Sequence, residues 1–393
     1  MEAYLLEWAN LLLRWLHVIV AIAYIGSSFY FVWLDNSLRP PVDEALKAKG
    51  VSGELWAVHA GAFYNPQKYV LAPPHLPQDL HWFYWEAYST WLSGFGLFSV
   101  LYLFNPRVFL IDPNVANITP MVAVAAALGF LVGGWLIYNL LCKVLEKQEK
   151  LLALLVAVQV AIIAWAACHV FSGRAAFLIT GATLATIIAA NVFFVIIPNQ
   201  RKMVASMKAK EAVNPVLSQR SKHRSRHNSY VTLPVIFGMI SNHYSLTYGT
   251  KHNWLVLIAI MAAGALIRHY YIQRHKHRGN PAYPAGAIAI LAGVIFWLAP
   301  ARPVAGAASA SADIGQVQKI VEARCVQCHA AKPTLMPTPA KGIMLETPEA
   351  IRSHAQAIYQ QVVVAKAMPL GNMTQITDDE RAVIGKWFEG GAK

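Results

Sequence analysis

The residues of this chain best suited to chemistry are the run Cys325-Val326-Gln327-Cys328-His329. A Cys-x-x-Cys-His run is the attachment signature of a c-type haem, in which both sulfurs form thioethers with the porphyrin and the histidine binds the iron. A thioredoxin-like redox pair and half of a zinc site use similar residues. The first lacks a surrounding βαβ pattern, and the second lacks another Cys-x-x-Cys. The run therefore predicts covalent haem at Cys325 and Cys328, with His329 as one iron ligand.

The second iron ligand is expected downstream of the motif. Met368, followed by a proline, lies between two helical stretches, where a small cytochrome c places a thioether opposite the histidine. We predict Met368 as this ligand, ahead of Met373 and then of Met336 and Met344. The alternative is that Met368 only fills the core of the domain.

Three short helices are predicted to position these groups. Asp313 is expected to cap the first helix and Thr347 to precede the second, while Thr377 and Glu380 have the spacing of a capping box for the third. A unit of this size buries little apolar surface, so a covalent haem would supply much of its core. These features predict a small helical, class I-like cytochrome c domain at residues 313–393.

Residues 1–300 are predicted to form a membrane domain. The chain is 56% hydrophobic and 13% charged, and its apolar runs reach the roughly 20 residues that cross a bilayer. Residues 301–312 are rich in Ala and Ser and are predicted to be a flexible linker. The fold class is therefore predicted to be all-α, a polytopic bundle followed by the cytochrome domain. About eight spans are predicted, at 11–34, 88–105, 119–141, 151–171, 175–198, 230–247, 253–273 and 283–300.

Basic residues predict the orientation of this bundle. Haem is attached to c-type proteins outside the cytoplasm, and eight spans would put both termini on that side. The loops on the cytoplasmic side then hold 18 Lys and Arg, against 3 in the periplasmic loops between spans, as the positive-inside rule requires. Topology thus explains the net charge of +13, and no binding of nucleic acid is expected.

Polar side chains inside predicted spans are costly unless they have a partner. His17 and His243 are expected near the periplasmic face, where they are candidate ligands of a haem b or a metal. The alternative is that each only forms a hydrogen bond with a neighbouring helix. The polar residues singled out in or beside the spans are His17, His169, Asn191, Asn242, His243 and His269.

Several stretches in the membrane part carry a resemblance to a known family. They include Trp15-Leu16-His17, Gly61-Ala62-Phe63-Tyr64, Phe171-Ser172-Gly173-Arg174, Asn191-Val192-Phe193-Phe194 and Ser241-Asn242-His243-Tyr244. In these the chain resembles the bacterial membrane-bound urate oxidases, or urate hydroxylases, which join an eight-helix membrane domain to a C-terminal cytochrome c. The resemblance implies oxidation of urate to 5-hydroxyisourate in the inner membrane, with the cytochrome in the periplasm. Electrons would pass to a terminal cytochrome oxidase or a soluble cytochrome c.

The implied reaction makes two further demands on the chain. It releases two electrons, whereas a haem c accepts one at a time, so a haem b or another intramembrane redox centre is expected. A planar anion needs a cationic or amide donor and an aromatic face. The first cytoplasmic loop offers His59, Tyr64, Lys68 and His81 as substrate candidates. Aromatic groups there are alternatively anchors at the membrane interface.

Two other functions fit the same composition. A haem-bearing electron-transfer subunit of a respiratory quinol or cytochrome complex needs no small polar substrate. A transporter with an attached redox sensor is disfavoured, because no pair of half-helices broken by Gly or Pro stands out. Reduction of the haem by urate would distinguish the three functions.

Overall fold

The protein is a bundle of long helices followed by a smaller helical unit. The computed structural model describes residues 2–299, 312–336 and 338–393. The helices of the bundle are α1 (Glu2–Ser37), α2 (Glu44–Ala48), α3 (Trp85–Phe98), α4 (Pro106–Phe109), α5 (Pro120–Val144), α6 (Glu149–Val170), α7 (Gly173–Asn191), α8 (Ile197–Lys208), α9 (Pro215–Ile240), α10 (Ser245–Tyr248), α11 (Asn253–His275) and α12 (Ala282–Trp297). The π-helical turns Ser99–Leu103 and Val192–Ile196 extend α3 and join α7 to α8.

Among the described residues, five helices are long and apolar enough to cross a bilayer. They are Tyr4–Ser37, Pro120–Val144, Glu149–Val170, Gly173–Lys208 and Asn253–His275. These helices contain the spans predicted at 11–34, 119–141, 151–171, 175–198 and 253–273, give or take a residue or two at the ends. The other three predicted spans fall on α3, on the second half of α9 and on α12, which are shorter or more polar. The count of eight spans stays a prediction.

Helix α7 lies at the centre of the bundle. It packs against α5, α6 and α9 and is buried on most of its faces. The backbones of α7 and α9 meet at Gly181 and Gly238, where a Cβ on Gly238 would lie only 2.8 Å from the Cα of Gly181. Small residues allow this close approach between helices in lipid, where packing replaces the hydrophobic effect as the driving force.

The connection after α1 contains the only strands in the described residues. Strand β1 (Val51–Glu54) pairs with β4 (Gln67–Tyr69), and β2 (Ala57–His59) pairs with β3 (Ala62–Tyr64), both antiparallel. The β2–β3 turn places Ala60 and Gly61 at positive φ, as a tight hairpin requires. The all-α prediction missed both sheets, because Ala60-Gly61 is a weak hairpin signal beside Asn-Gly or Asp-Gly.

The connections of the bundle gather at its two ends. At one end, Arg220 of α9 forms an ion pair with Glu146 in the α5–α6 connection, and Arg39 after α1 contacts His277 after α11. At the other end, the connections α3–α5, α6–α7 and α9–α11 each approach the C-terminal unit. The basic connections therefore lie at the end away from that unit.

The C-terminal unit has its own helices and core. Its helices are α13 (Ile314–Arg324), α14 (Pro348–Ser353), α15 (Ala355–Ile358) and α16 (Asp378–Glu389), and a π-helical turn at Tyr359–Val364 continues α15. Trp387 and Ile384 are fully buried in a core that also holds Val317, Val321 and Ile351. Residues 301–311 of the predicted linker lie outside the described residues.

The helix caps of this unit agree with most of the sequence pattern. Thr377 and Glu380 form the predicted capping box on α16, and the Thr347 side chain caps α14. Asp313 occupies the predicted position before α13, but its side chain makes no capping hydrogen bond. The three predicted starts are therefore confirmed, and only the side-chain bond of Asp313 is absent.

The C-terminal unit touches the bundle through the turn that follows Met368. A Cβ on Gly371, which has a φ of +59°, would lie 3.2 Å from the carbonyl oxygen of Ile111 and 3.8 Å from the Cβ of Ser172. Nearby, a Cβ on Gly249 would lie 3.7 Å from the carbonyl oxygen of Ala365. Glycine at 371 thus permits both the left-handed backbone and the close approach.

Candidate redox centre and polar sites in the bundle

The two cysteines of the predicted haem motif follow directly on α13. Both are free thiols, and Cys325 packs against the apolar core of the C-terminal unit. Burial raises the pKa of Cys325 to about 12 and also raises the pKa of Cys328. A thioredoxin-like pair needs a thiol with a lowered pKa as its nucleophile. The direction of both shifts is opposite to what that alternative requires.

His329 is held by the backbone around it. Its Nδ1 lies 3.2 Å from the carbonyl oxygen of Ile343, and its own carbonyl accepts a hydrogen bond of 2.8 Å from the Leu345 N–H. A ligand histidine commonly donates one ring N–H to a carbonyl so that the other nitrogen is free for the metal. With Nδ1 engaged, Nε2 of His329 is the nitrogen left for iron.

Met368 packs against the same core as Cys325. Its carbonyl oxygen accepts a hydrogen bond of 2.8 Å from Nη1 of Arg381, which also donates to the carbonyl of Val362. This role of Arg381 was not predicted from the sequence, because an arginine in a helix usually lies on its exposed face. Among the runners-up, Met344 is 47% exposed, which suits a buried iron ligand less well than Met368.

These residues fit a c-type haem. Two free cysteines, an imidazole with its Nδ1 engaged and a thioether in the same apolar core are the donor set that such a haem uses. When bound, the haem would supply one-electron transfer at Cys325, Cys328, His329 and Met368. No three His, Cys, Asp or Glu side chains come together in the described part of the chain, so the zinc alternative gains no support.

The two membrane histidines have different surroundings. Nδ1 of His17 lies 3.1 Å from Oγ of Ser93, and its ring rests on the backbone of α3 at Gly94. His243 is exposed in the 3₁₀ turn Ser241–His243. No contact between His17 and His243 is recorded among the described residues, so a shared cofactor stays a prediction. Nδ1 of His269 lies 2.7 Å from the hydroxyl oxygen of Tyr230.

A hydrogen-bonded network lies inside the bundle between α5, α7 and α9. Arg224 donates to Asn191 at 3.2 Å and to Asn139 at 2.7 Å. Asn191 donates in turn to the hydroxyl of Tyr138, which lies 2.8 Å from Nδ1 of His227. Arg224 is only 6% exposed, although it is one of the 18 basic residues predicted to lie in cytoplasmic loops. The network was missed because α9 continues without a break from the basic stretch into the bundle.

The four substrate candidates lie in two places. Lys68 forms an ion pair with Asp35 and borders a groove of about 410 Å³ next to Phe31. Burial and then the charge of Lys222 lower the pKa of Lys68. His81 packs on Phe83, which in turn contacts Phe31.

The other two substrate candidates lie away from that groove. His59 and Tyr64 are exposed on the β2–β3 hairpin, and neither lines the groove. The structure thus groups Lys68 and His81 around Phe31 and separates His59 and Tyr64 from them.

Comparison with known proteins adds one finding. No curated protein and no solved structure matches the chain. The family model described as urate oxidase N-terminal matches residues 3–299, which is the whole described helical bundle except its first residue, and the match stops before the C-terminal unit. Because that match covers most of the chain, the protein belongs to the urate oxidase N-terminal family, whose description supports a urate-related oxidase activity.

Proposed function

We propose that the chain is a membrane-bound urate oxidase that delivers electrons to a haem c in its C-terminal unit. In this reaction urate and water give 5-hydroxyisourate, two protons and two electrons. The oxygen atom added to the purine comes from water, and a haem held by Cys325, Cys328, His329 and Met368 would accept the electrons one at a time. The final acceptor is a terminal cytochrome oxidase or a soluble cytochrome c.

The observation that carries the proposal is the contact between the two parts of the chain. The family match ends where the bundle ends, and the turn after Met368 packs directly on that bundle at Ile111 and Ser172. A haem bound at Met368 would therefore lie beside the family's own domain. Electrons would have only this contact to cross.

A polar cluster of the bundle lies next to the contact. The Tyr102 hydroxyl donates to Oδ1 of Asn242 at 3.0 Å, and Nε of Arg174 donates to the same oxygen at 3.2 Å. Arg174 follows Ser172 by two residues and lies over the ring of Phe109. This cluster supports an electron path that enters the C-terminal unit from the α6–α7 connection.

The remaining parts of the proposal follow from the sequence. The bundle would span the bacterial inner membrane eight times, with the C-terminal unit in the periplasm, and the basic end of the bundle would face the cytoplasm. His17 and His243 are proposed ligands of a second redox centre, a haem b or a metal. Of the substrate candidates, Lys68 and His81 are the proposed contacts of urate, and His59 and Tyr64 are the less central pair.

Anaerobic addition of urate to purified membranes tests the function. The haem spectrum of the C-terminal unit should change from ferric to ferrous with two haem equivalents reduced per urate, and 5-hydroxyisourate should form in step. The Cys325→Ala/Cys328→Ala variant should show no such change and serves as the control. Reduction by a quinol but not by urate would instead identify an electron-transfer subunit and overturn the proposal.

A further inference from the structure

Two arginines are buried to the same extent inside the bundle but have different partners. Arg224 and Arg268 are each 6% exposed, and neither forms an ion pair with a carboxylate in the residues that the structure describes. A buried cation is costly unless charges or hydrogen bonds compensate for lost water. Arg224 is compensated by Asn139, Asn191 and the ring of Tyr138.

Arg268 lacks such compensation at one of its nitrogens. Its Nε donates to Oγ of Ser229 at 2.9 Å, and its guanidinium lies 4.0 Å from the ring centroid of Phe29. Its Nη2 is buried and has no hydrogen-bond partner. A guanidinium carries five N–H donors in a fixed fork, so Arg268 presents a buried positive charge with unused donors. An anionic ligand would supply both the missing charge and the missing acceptor.

An open cavity at the basic end of the bundle lies on the same helix as Arg268. The end of α11 and the segment at the end of α1 border this cavity of about 450 Å³, which is lined by Ser37, Arg39, Arg274, His275 and His277. Arg268 lies seven residues before His275 and so shares its face of α11, about 10 Å away along the axis. No acidic residue lines this cavity.

Other cations lie near Lys276, the residue that follows His275 of the cavity lining. Burial lowers the pKa of Lys276, and the nearby charges of Arg226, Lys222 and Arg278 lower it further. A cleft lined by one sign of charge concentrates ligands of the opposite sign and speeds their entry. The groove beside Lys68 differs in this respect, because Asp35 neutralises Lys68 there.

We propose that Arg268 binds the negative charge of the substrate, a planar oxopurine anion of the urate class, which enters through the cavity at Arg39 and Arg274. This assignment rests on the proposed function and names the site at which it takes place. Phe29 supports the guanidinium from one side and Ser229 fixes its Nε, so Nη2 keeps its direction. Arg224 has a structural role, because Nη1 and Nη2 already donate to Asn191 and Asn139.

Binding of urate to the whole protein in nanodiscs of neutral lipid tests the assignment. Arg268→Gln should weaken urate binding about tenfold to hundredfold, the effect of a lost charge-assisted hydrogen bond. Arg268→Lys keeps the charge but loses the fork, so its loss should be smaller. Lys147→Gln removes an exposed cation at the same end of the bundle and should leave the affinity unchanged. Tryptophan fluorescence and protease resistance of the bundle report whether each variant has folded.

A neutral ligand separates a binding role from a structural one. Hypoxanthine carries no charge at neutral pH, so Arg268→Gln should abolish the preference of the wild type for urate over hypoxanthine without weakening hypoxanthine. Equal losses for both ligands would mean that Arg268 only supports the fold, and would overturn the assignment.

The proposed function and the site assignment fail in different ways. If urate reduces the haem of Arg268→Gln with an unchanged KM, the site assignment is wrong and the function stands. If urate neither binds to the wild type nor reduces its haem, the function is wrong, and the same variants are then compared with orotate as a planar anion. Orotate binding that does not depend on Arg268 would overturn the anion site as well.

Discussion

The helical bundle and the C-terminal unit use their arginines differently. In the unit, Arg324 pairs with Glu380 at 3.0 Å, and Arg381 donates to the backbone carbonyls of Val362 and Met368. In the bundle, Arg224 and Arg268 meet amides, a hydroxyl and aromatic rings. Arginines of the unit thus bind a carboxylate or backbone carbonyls, whereas the two arginines inside the bundle bind neutral side chains.

The two regions also differ in how their cores are filled. Around α7 the bundle packs small residues and brings helix backbones together, as at Gly181 and Gly238. The core of the unit consists of aliphatic side chains and Trp387, and a haem would be added to it. None of the described glycines of the unit brings two of its own helix backbones together, so the two regions should respond differently to a methyl group added at a glycine.

The largest difference between the regions should follow removal of the haem attachment. Cys325→Ala/Cys328→Ala should abolish covalent haem completely and destabilise the C-terminal unit, because the porphyrin supplies part of its core. The bundle should remain folded, since its core has no residue in common with the unit. Haem staining of the denatured chain and protease resistance of the bundle measure the two effects. Covalent haem in the double variant would contradict the attachment site.

An intermediate effect is expected from adding one methyl group to a glycine in each region. Gly238→Ala should destabilise the bundle by about 1–3 kcal/mol, because the new Cβ meets the backbone of α7. The matched change in the unit is Gly385→Ala, whose Cβ would lie 3.4 Å from Cγ1 of Val363, an ordinary contact.

Thermal unfolding followed separately in the two regions checks this pair. Gly385→Ala should leave the stability of the unit unchanged or raise it by up to about 1 kcal/mol, because alanine has a higher helix propensity than glycine. Tryptophan fluorescence reports mainly on the bundle and haem absorbance on the unit. Equal losses of stability from the two substitutions would contradict the proposed difference in packing between the regions.

The smallest effect is expected from a surface pair of the unit. Nζ of Lys366 donates to Oδ1 of Asp378 at 2.8 Å, and this hydrogen bond holds the pKa of Asp378 below its usual range. A lowered pKa stabilises the folded state above the unfolded-state pKa of about 3.9, and the benefit is lost as pH falls through the folded-state value.

Asp378→Asn should therefore lower the free energy of unfolding at neutral pH and leave it unchanged in strong acid. The cost should be below about 1 kcal/mol, because the pair is exposed and screened by water. Urea unfolding of the whole protein, followed by haem absorbance at both pH values, measures it. Asp379→Asn, which alters the neighbouring exposed carboxylate without a recorded ion pair, is the control. A constant difference at both pH values would argue against the ion pair.

Local signals in the sequence predicted much of this structure. Apolar runs located five long helices, and the Thr377–Glu380 spacing located the start of α16, because both depend on neighbouring residues. The β2–β3 hairpin was missed since its turn residues are uncommon ones. Arg268 was overlooked inside the span predicted at 253–273, because one charge barely alters the average hydropathy of such a run.

Long-range contacts were beyond the reach of such signals. No pattern near Gly371 in the sequence predicts that Gly371 packs on Ile111, which lies about 260 residues earlier. The same holds for Arg268 and Phe29, which meet only when α1 and α11 are packed together. The candidate haem residues were found because their motif is contiguous, whereas the polar groups of the bundle are assembled from four helices.

The turn after Met368 can contact either the bundle or another protein, but not both at once. Gly371 rests on Ile111 and Ser172, and Ala365 rests on Gly249. An acceptor that needs the same surface would compete with the bundle for it, so electrons could pass to such an acceptor only while this contact is open.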